Sequence, residues 1–517
     1  SSCDWTKERF TLDEWLNKRV NKAFVDLYKK GLIYKGEYMV NYSPALQTVL
    51  SDQEVIHKEE KWKMYHITYF VAWSDNEVII ATTRPETLLG DVAVAVHPKD
   101  KRYKKLLKAG KKLVLPIVNK EIDIIADEMV DMEFGTGAVK ITPAHDPNDF
   151  EVAKRHDLAL DNIVIWKDGK MTEKTGIFEG QDYLTARNNV VELLKAKWNL
   201  IKIEDHVSKV GYCERSGAKV ETIISTQWFV SVESLAKKVI KGYKAKEFEI
   251  IPKRFNKTFE DWIFNLRDWC ISRQLLWGHQ IPVWYGPDEE FFCAENIVDA
   301  KKQAFAHYGK DVELTQDSDV LDTWFSSGLW PFSILDFNMW DGEQSEDFKK
   351  FYPASVLETR HDIIFFCVIR MLLFWYEFTG QTPFEKIYLH GMVKDKHGAK
   401  MSKSKGNWID PLDMIEKYGT DALRLTLSIW NTPWNDLKFD EANVENNMLF
   451  VNKLWNASRF VSVNLNEETT ALSLENIESE LINNYDDLMF HEKWILSRIR
   501  NLSDMITDDM EKYNFSE

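Results

Sequence analysis

The stretch Lys400-Met401-Ser402-Lys403-Ser404-Lys405-Gly406-Asn407 decides how this chain is read. Its three lysines, two serines and glycine make a cationic loop suited to a polyphosphate whose charge changes during reaction. Lysine acts there as a point charge, and hydroxyls and glycine N–H groups add donors. Taken alone, such a run is equally well a solvated surface loop. Its surroundings narrow the choice. Leu389-His390-Gly391-Met392-Val393 precedes it, and Asp410-Pro411-Leu412-Asp413-Met414-Ile415 and Tyr418-Gly419-Thr420-Asp421-Ala422-Leu423-Arg424 follow. Further upstream, Ala354-Ser355-Val356-Leu357 reads as a short strand, the apolar run from Asp362 as a helix, and Ile387-Tyr388-Leu389 as a strand. Strand, helix, strand is the grammar of a parallel nucleotide-binding sheet. It sets the lysine loop beyond a strand's carboxyl end, where such sheets bind ligands.

Working outward, 517 residues are too many for one core, so three or four domains are expected. The 20 Trp and 29 Phe point to aromatic-walled cores or pockets. A net charge of −16 argues against wholesale coating of nucleic acid and leaves room for a local basic groove. The five cysteines are scattered, with no C-x-x-C pair, so neither a disulfide framework nor a zinc ribbon is supported. A reducing, cytoplasmic compartment fits. The most apolar segment, Ile363 to Tyr376, contains Arg370 and is too short to span a bilayer, so no membrane role is expected.

In chain order, Thr11-Leu12-Asp13-Glu14 reads as a capping box. Trp15, Val20, Ala23, Phe24 and Leu27 then keep helical spacing up to Gly31. Leu32-Ile33-Tyr34 and Tyr38 to Tyr42 read as a short β-ribbon. From about Lys61 the pattern is β. Met64 to Val71 and Glu77 to Thr83 form a hairpin about Ser74-Asp75-Asn76, and strand signals continue at 92–96, 113–118 and 139–142. Phe259 to Gln274 is expected to be a helix carrying Trp262, Trp269 and Ile271, followed by strand Val283-Trp284-Tyr285. After Asp440 the chain reads as helical, with one apolar stripe through Val444, Met448, Val451, Leu454 and Trp455 and another through Trp494, Ile495, Ile499, Leu502 and Ile506. Two helices cannot bury such stripes alone, so these read as the start of a bundle.

The lysine block resembles the nucleotide signature loop of class I aminoacyl-tRNA synthetases. The likeness runs along essentially the whole chain, and it looks most like the valyl branch, with the isoleucyl and leucyl branches as alternatives. Four blocks carry it: Trp269 to His279, Asp319 to Pro331, His361 to Phe366, and the lysine loop. The fold this implies is α/β: an incomplete Rossmann-like catalytic domain, an inserted β-rich editing domain and the start of an α-helical anticodon-binding bundle. The implied division is 1–59 for part of the catalytic domain and a connective ribbon, 60–205 for the editing insert, and 206–400 for the second catalytic half. Residues 401–440 would be the lysine loop and a stem-contact region, and 441–517 the start of the helical domain. The resemblance implies ligation of valine to its tRNA through an adenylate, with ATP and Mg2+, by a monomer. Lys400 and Lys403, with Ser402 and Ser404, would hold phosphates in the transition state. His390 and Gly391 would lie near the nucleotide and Asp362 near the ribose or the amino acid. Trp277 and Trp324 would wall the amino-acid pocket, which must be apolar and size-limited because valine has no polar handle.

The blocks Thr82 to Asp91 and Phe134 to Asp149 are polar, and the second is also rich in glycine at its start. Two such turns in one β domain suggest a hydrophilic pocket. Both resemble the editing domain of the valyl, isoleucyl and leucyl enzymes. An apolar pocket rejects threonine only weakly in place of valine, the standard illustration of why a second, hydrolytic site is needed. Under the resemblance, Asp149 would hold the substrate ammonium, and Arg84, Thr87, Phe134, Lys140, Thr142 and Asp146 would line the pocket or the terminal adenosine. No residue stands out as a general base for the attacking water. No zinc is expected, since the stretch where some relatives carry cysteine pairs is Tyr42-Ser43-Pro44-Ala45-Leu46 here.

Two departures stand against the family pattern. No H-x-G-H signature is present, which makes the chain read as a fragment with impaired adenylation, or as a tRNA-binding deacylase without ligase activity. Locally, Arg360 stands where glycine is usual and Cys367 where tryptophan is usual.

Overall fold

The computed structural model describes residues 4–51, 54–335, 344–401, 406–429, 435–465 and 473–515. The chain divides into two compact units, one of Ser1–Val232 with Arg267–Ser326 and one of Glu233–Leu266 with Ser327–Glu517.

The first unit opens on helix Glu14–Lys29. Its cap is Asp13, whose carboxylate accepts the Leu16 N–H at 2.7 Å, so the expected box on Thr11 does not form. Asp caps as well as Thr, and the helix simply starts later. It stops as expected at Gly31, which takes φ +71°. Leu32 N–H reaches back to the Leu27 carbonyl and Gly31 N–H to that of Tyr28, both at 2.9 Å, the paired bonds of a Schellman stop.

Ile33–Ser43 is one continuous strand rather than two arms of a local ribbon. It pairs antiparallel with Glu221–Val230, from Ile33↔Val230 to Tyr42↔Glu221. Gly36 stays in the ladder opposite Gln227 and makes no turn. The expected long helix over 259–274 also resolves differently. Asn256–Phe264 is helical, whereas Trp269–Cys270 and Ser272–Arg273 are short strands pairing with Phe229–Val230 and Val320–Leu321. Buried polar ties decide this. Trp269 Nε1–H and Arg273 both donate to Asp322, at 3.0 and 2.9 Å, and Ser272 Oγ accepts the Trp228 N–H. A run of aromatics fits either period, and only these distant partners choose.

The β-rich part is a seven-stranded sheet. The expected hairpin is present as Val55–Val71 and Glu77–Thr82. Residues 55–67 of the long strand pair with Leu200–Cys213, forming a ribbon that runs continuously through the positions near 60 and 205. Beyond it, Lys112–Val114, Glu121–Ala126, Ala93–Val96 and Ala138–Ile141 complete the sheet. Glu121–Ala126, a strand the sequence reading passed over despite its alternating Glu-Ile-Asp-Ile, lies parallel to Ala93–Val96. Ile67, Tyr69, Ile80, Leu88, Val94, Val96 and Leu113 form the core beneath.

In the second unit, Glu249–Ile251, Phe384–His390 and Ala354–Arg360 form a parallel sheet in that order. The intervening apolar segment is not one helix. It is a 3-10 turn His361–Ile363, a π turn Ile364–Val368 and an α-helix Ile369–Phe378. That helix packs on Glu233–Ala245, where a Cβ on Gly242 would come within 1.9 Å of the Tyr376 hydroxyl. The last part is helical as expected, in Glu441–Asn464, Leu474–Asn483 and Phe490–Glu511. Val444 is buried, while Leu454, Trp455, Trp494 and Ile499 stand exposed.

Candidate active sites

Within the seven-stranded region, Lys140 on the Ala138–Ile141 strand is the hub. Its ammonium donates to Thr87 Oγ1 at 2.8 Å, to Asp91 Oδ1 at 3.2 Å and to Thr142 Oγ1. Thr142 Oγ1–H donates in turn to Asp91 Oδ1 at 2.6 Å, and Tyr69 O–H to Asp91 Oδ2 at 2.6 Å. Thr142 N–H donates to Asp149 Oδ2 at 2.8 Å. All six side chains are buried, Asp91 completely. Sequence places them together for local reasons. Pro85–Gly90 is a tight 3-10 turn that presents Thr87 and delivers Asp91, and Lys140 and Thr142 share one face at a spacing of two.

Burial raises the Asp91 carboxyl, with Lys140, Thr142 and Tyr69 pulling the other way. Asp149 is pushed up to about 7, first by burial and then by Asp146, with Lys140 and the Thr142 N–H opposing. His145 is held well below its usual range by burial and by the charges of Arg84 and Lys140. Its Nε2 accepts the Val164 and Ile165 N–H groups at 2.9 and 3.3 Å, so the ring proton sits on Nδ1.

Other expected residues stand around this set. Arg84 is held by Glu221 at 2.5 Å and by Glu86 at 3.4 Å, and it donates to the His145 carbonyl at 3.4 Å. Glu86 is itself clamped by Nε and Nη2 of Arg187, each at 2.7 Å. Asp146 is exposed and caps helix Pro147–Arg155, accepting the Asn148 and Asp149 N–H groups. Phe134 lies on an exposed turn, outside the hydrogen-bonded set. Sequence reasoning passed over Asp91, Tyr69 and His145. Asp91 closes the polar block that was singled out, so its signal was there; Tyr69 reads only as a strand aromatic.

Residues expected to handle the nucleotide lie in the second unit, and those expected to wall the amino acid lie in the first or at its edge. His390 ends its strand and donates from Nδ1 to the Gly391 carbonyl at 2.7 Å. Gly391 faces backbone: a Cβ there would meet the Asn435 carbonyl oxygen at 1.9 Å. Asp436 fixes that approach by accepting the Met392 N–H and pairing with Lys394 at 2.5 Å. Arg360, the departure from the family pattern, donates to Asp362 at 2.7 Å. Cys367 sits in the π turn, its thiol pushed up to about 11 by burial. Lys400 bridges to Lys394, and Asn407 ties the Lys400 carbonyl to the Asp395 carboxylate, closing the neck of the lysine loop. Ser402, Lys403 and Ser404 lie outside the described residues. In the first unit Trp277 is 75% exposed on its loop, so it is no core aromatic, and Trp324 is half-buried in the first turn of helix Thr323–Ser333. Among the described residues, no group of three His, Cys, Asp or Glu could hold a metal, and no helix is long and apolar enough to cross a membrane.

A parallel sheet followed by a lysine loop, in a mixed α/β chain with a seven-stranded β region, defines a class, and comparison with known families agrees. The family model described as tRNA synthetases class I (I, L, M and V) matches residues 1–440, and the chain belongs to that family. Among individual relatives it is 48% identical over 516 residues to the valine–tRNA ligase of Pseudothermotoga lettingae, covering 100% of this chain and 57% of that protein. It is 49% identical over 517 residues to the valine–tRNA ligase of Bacillus cereus, covering 99% and 56%. The chain thus spans little more than half the length of these relatives. Among solved structures, the ternary complex of Agrobacterium radiobacter K84 agnB2 LeuRS-tRNA-LeuAMS shares the fold, with a TM-score of 0.51 at 18% identity over 99% of this chain and 68% of that one.

Proposed function

We propose that the protein activates valine with ATP, transfers it to the tRNA for valine, and hydrolyses threonine wrongly attached to that tRNA in its seven-stranded region. Two features support the reading. One is identity near 48% to valine–tRNA ligases along the whole chain. The other, which carries the hydrolytic part, is the buried set of Lys140, Thr142, Thr87 and Asp149.

In activation a valine carboxylate oxygen attacks the α-phosphorus, and the bond to pyrophosphate breaks with its electron pair leaving on pyrophosphate. The tRNA terminal hydroxyl then attacks the adenylate carbonyl and AMP leaves. Little covalent work falls to the protein; placement and charge dominate. Lys400 and Lys403 would supply positive charge to the phosphates, alongside any Mg2+ the nucleotide carries, and the Asn407 tie keeps the loop's neck closed. In the hydrolytic site a water oxygen attacks the ester carbonyl, the bond to the ribose oxygen breaks, and that oxygen takes up a proton. Asp149 holds the substrate ammonium there: Oδ2 is fixed by the Thr142 N–H, and the approaching cation draws the carboxyl into its ionised form.

The test is hydrolysis of threonyl-tRNA by the full-length protein with and without Asp149→Ala. A charge-assisted contact of about 1.5–3 kcal/mol predicts a loss of roughly tenfold to a hundredfold. Equal rates would remove Asp149 from the site.

A further inference from the structure

The proton inventory of the Lys140 set carries an inference that deepens, and rests on, the hydrolytic reading. A lysine ammonium has three N–H donors. Here all three are committed, to Thr87 Oγ1, Asp91 Oδ1 and Thr142 Oγ1. A threonine hydroxyl has one proton and two lone pairs. Thr142 gives its proton to Asp91 Oδ1, and Thr87 gives its own to the Arg84 carbonyl at 2.9 Å. Lys140 takes one lone pair on each hydroxyl, leaving one free on each. The Asp91 carboxylate is held in turn by Tyr69 through its second oxygen. Neither Lys140 nor either hydroxyl then has a proton left for a ligand unless the set is broken.

We propose that Asp91 is a positioning residue that orients these protons, so that Thr87 and Thr142 present lone pairs only and the site selects an aminoacyl group carrying a hydrogen-bond donor. Threonine's hydroxyl is such a donor. Valine's methyl in the same place leaves a buried acceptor without a partner, which is penalised. The preference for the hydroxylated side chain thus comes from where the protons point as well as from pocket size.

The experiment uses full-length protein and the tRNA for valine charged either with threonine or with its 3-fluoro analogue, in which fluorine replaces the hydroxyl. The two differ little in size, and only the first can donate. Wild-type protein is expected to favour the threonyl ester by about tenfold in kcat/KM, the equivalent of ~1.4 kcal/mol. In Asp91→Asn the amide offers N–H groups and Thr142 loses its fixed acceptor. The ratio is expected to collapse toward one, chiefly through a raised KM for the threonyl ester. A purely structural Asp91 would slow both esters alike and leave the ratio unchanged, which overturns the proposal. Equal kcat/KM for the two esters in the wild type overturns it without any variant, and so covers an Asp91→Asn protein that does not fold. Hydrolysis of neither ester by the wild type removes the deacylating reading and the proposal together.

Discussion

Asp149→Asn separates what this carboxylate does to the fold from what it does for the chemistry. The free side chain titrates near 3.8, and in the fold it is pushed up to about 7. The folded state therefore keeps a proton that the unfolded state has released, and stability falls as pH rises from about 4 to about 7. Above that window the loss is complete. At ~1.36 kcal/mol for each pKa unit, roughly three units amount to a few kcal/mol at pH 8 and to less than half of that at pH 5. Asn does not titrate, and its carbonyl can still accept the Thr142 N–H that Asp149 Oδ2 accepts at 2.8 Å. The variant should therefore be more stable than the wild type by about 2–4 kcal/mol at pH 8 and by clearly less at pH 5, allowing for the Asp146 and Lys140 charges that share the shift. Amide exchange of the Ala138–Ile141 strand against urea, at both pH values, reads this locally in a protein of several domains. Threonyl-tRNA hydrolysis should fall in the same variant, so that a gain in stability accompanies a loss of activity. A variant less stable than the wild type at pH 8, or a gain of equal size at both pH values, would refute the argument.

Three further outcomes are expected. Asp322→Ala removes the carboxylate shared by Arg273 and the Trp269 indole and leaves a buried guanidinium unpaired, so it should cost about 3–5 kcal/mol in denaturant unfolding of the first unit; a cost below 1 would deny the tie its structural role. Gly391→Ala places a methyl 1.9 Å from the Asn435 carbonyl oxygen and should destabilise the second unit by at least about 1–3 kcal/mol while slowing valine-dependent ATP–pyrophosphate exchange; normal melting and normal exchange together would contradict the crowding. Trp277→Ala, at a residue 75% exposed, should change stability by no more than about 0.5 kcal/mol and yet let isoleucine compete with valine in the exchange assay. Unaltered selectivity would take Trp277 out of the amino-acid pocket.

What sequence alone revealed depended on whether a signal was local. The first helix announced its stop because Gly31 alone satisfies the left-handed position there. The hairpin was readable at 64–71 and 77–83 from its strand-like runs about Ser74-Asp75-Asn76, and the strand at 384–390 from its apolar centre Ile387-Tyr388-Leu389. Failures came where distant partners decided. The strand at 33–43 finds its mate almost two hundred residues on, and Trp269 to Arg273 became strands through Asp322 and Ser272 rather than through any local preference. In the proposed hydrolytic site the hydroxyls, Lys140 and Asp149 fell within a legible pair of polar, glycine-bearing turns. Asp91 stood at the end of one of those turns without its role, and Tyr69 gave no signal, because a carboxylate at a turn's end and an aromatic in a strand reveal their pairing only when the strands close over them.

One measurement bears most directly on the proposed activity: the rates at which full-length protein deacylates threonyl- and valyl-tRNA for valine under identical conditions. The expected result is threonyl-tRNA hydrolysed at least about tenfold faster, since under the proposed reading only threonine supplies a donor to the free lone pairs of Thr87 and Thr142. Equal rates for the two esters, or faster loss of valine, would contradict it.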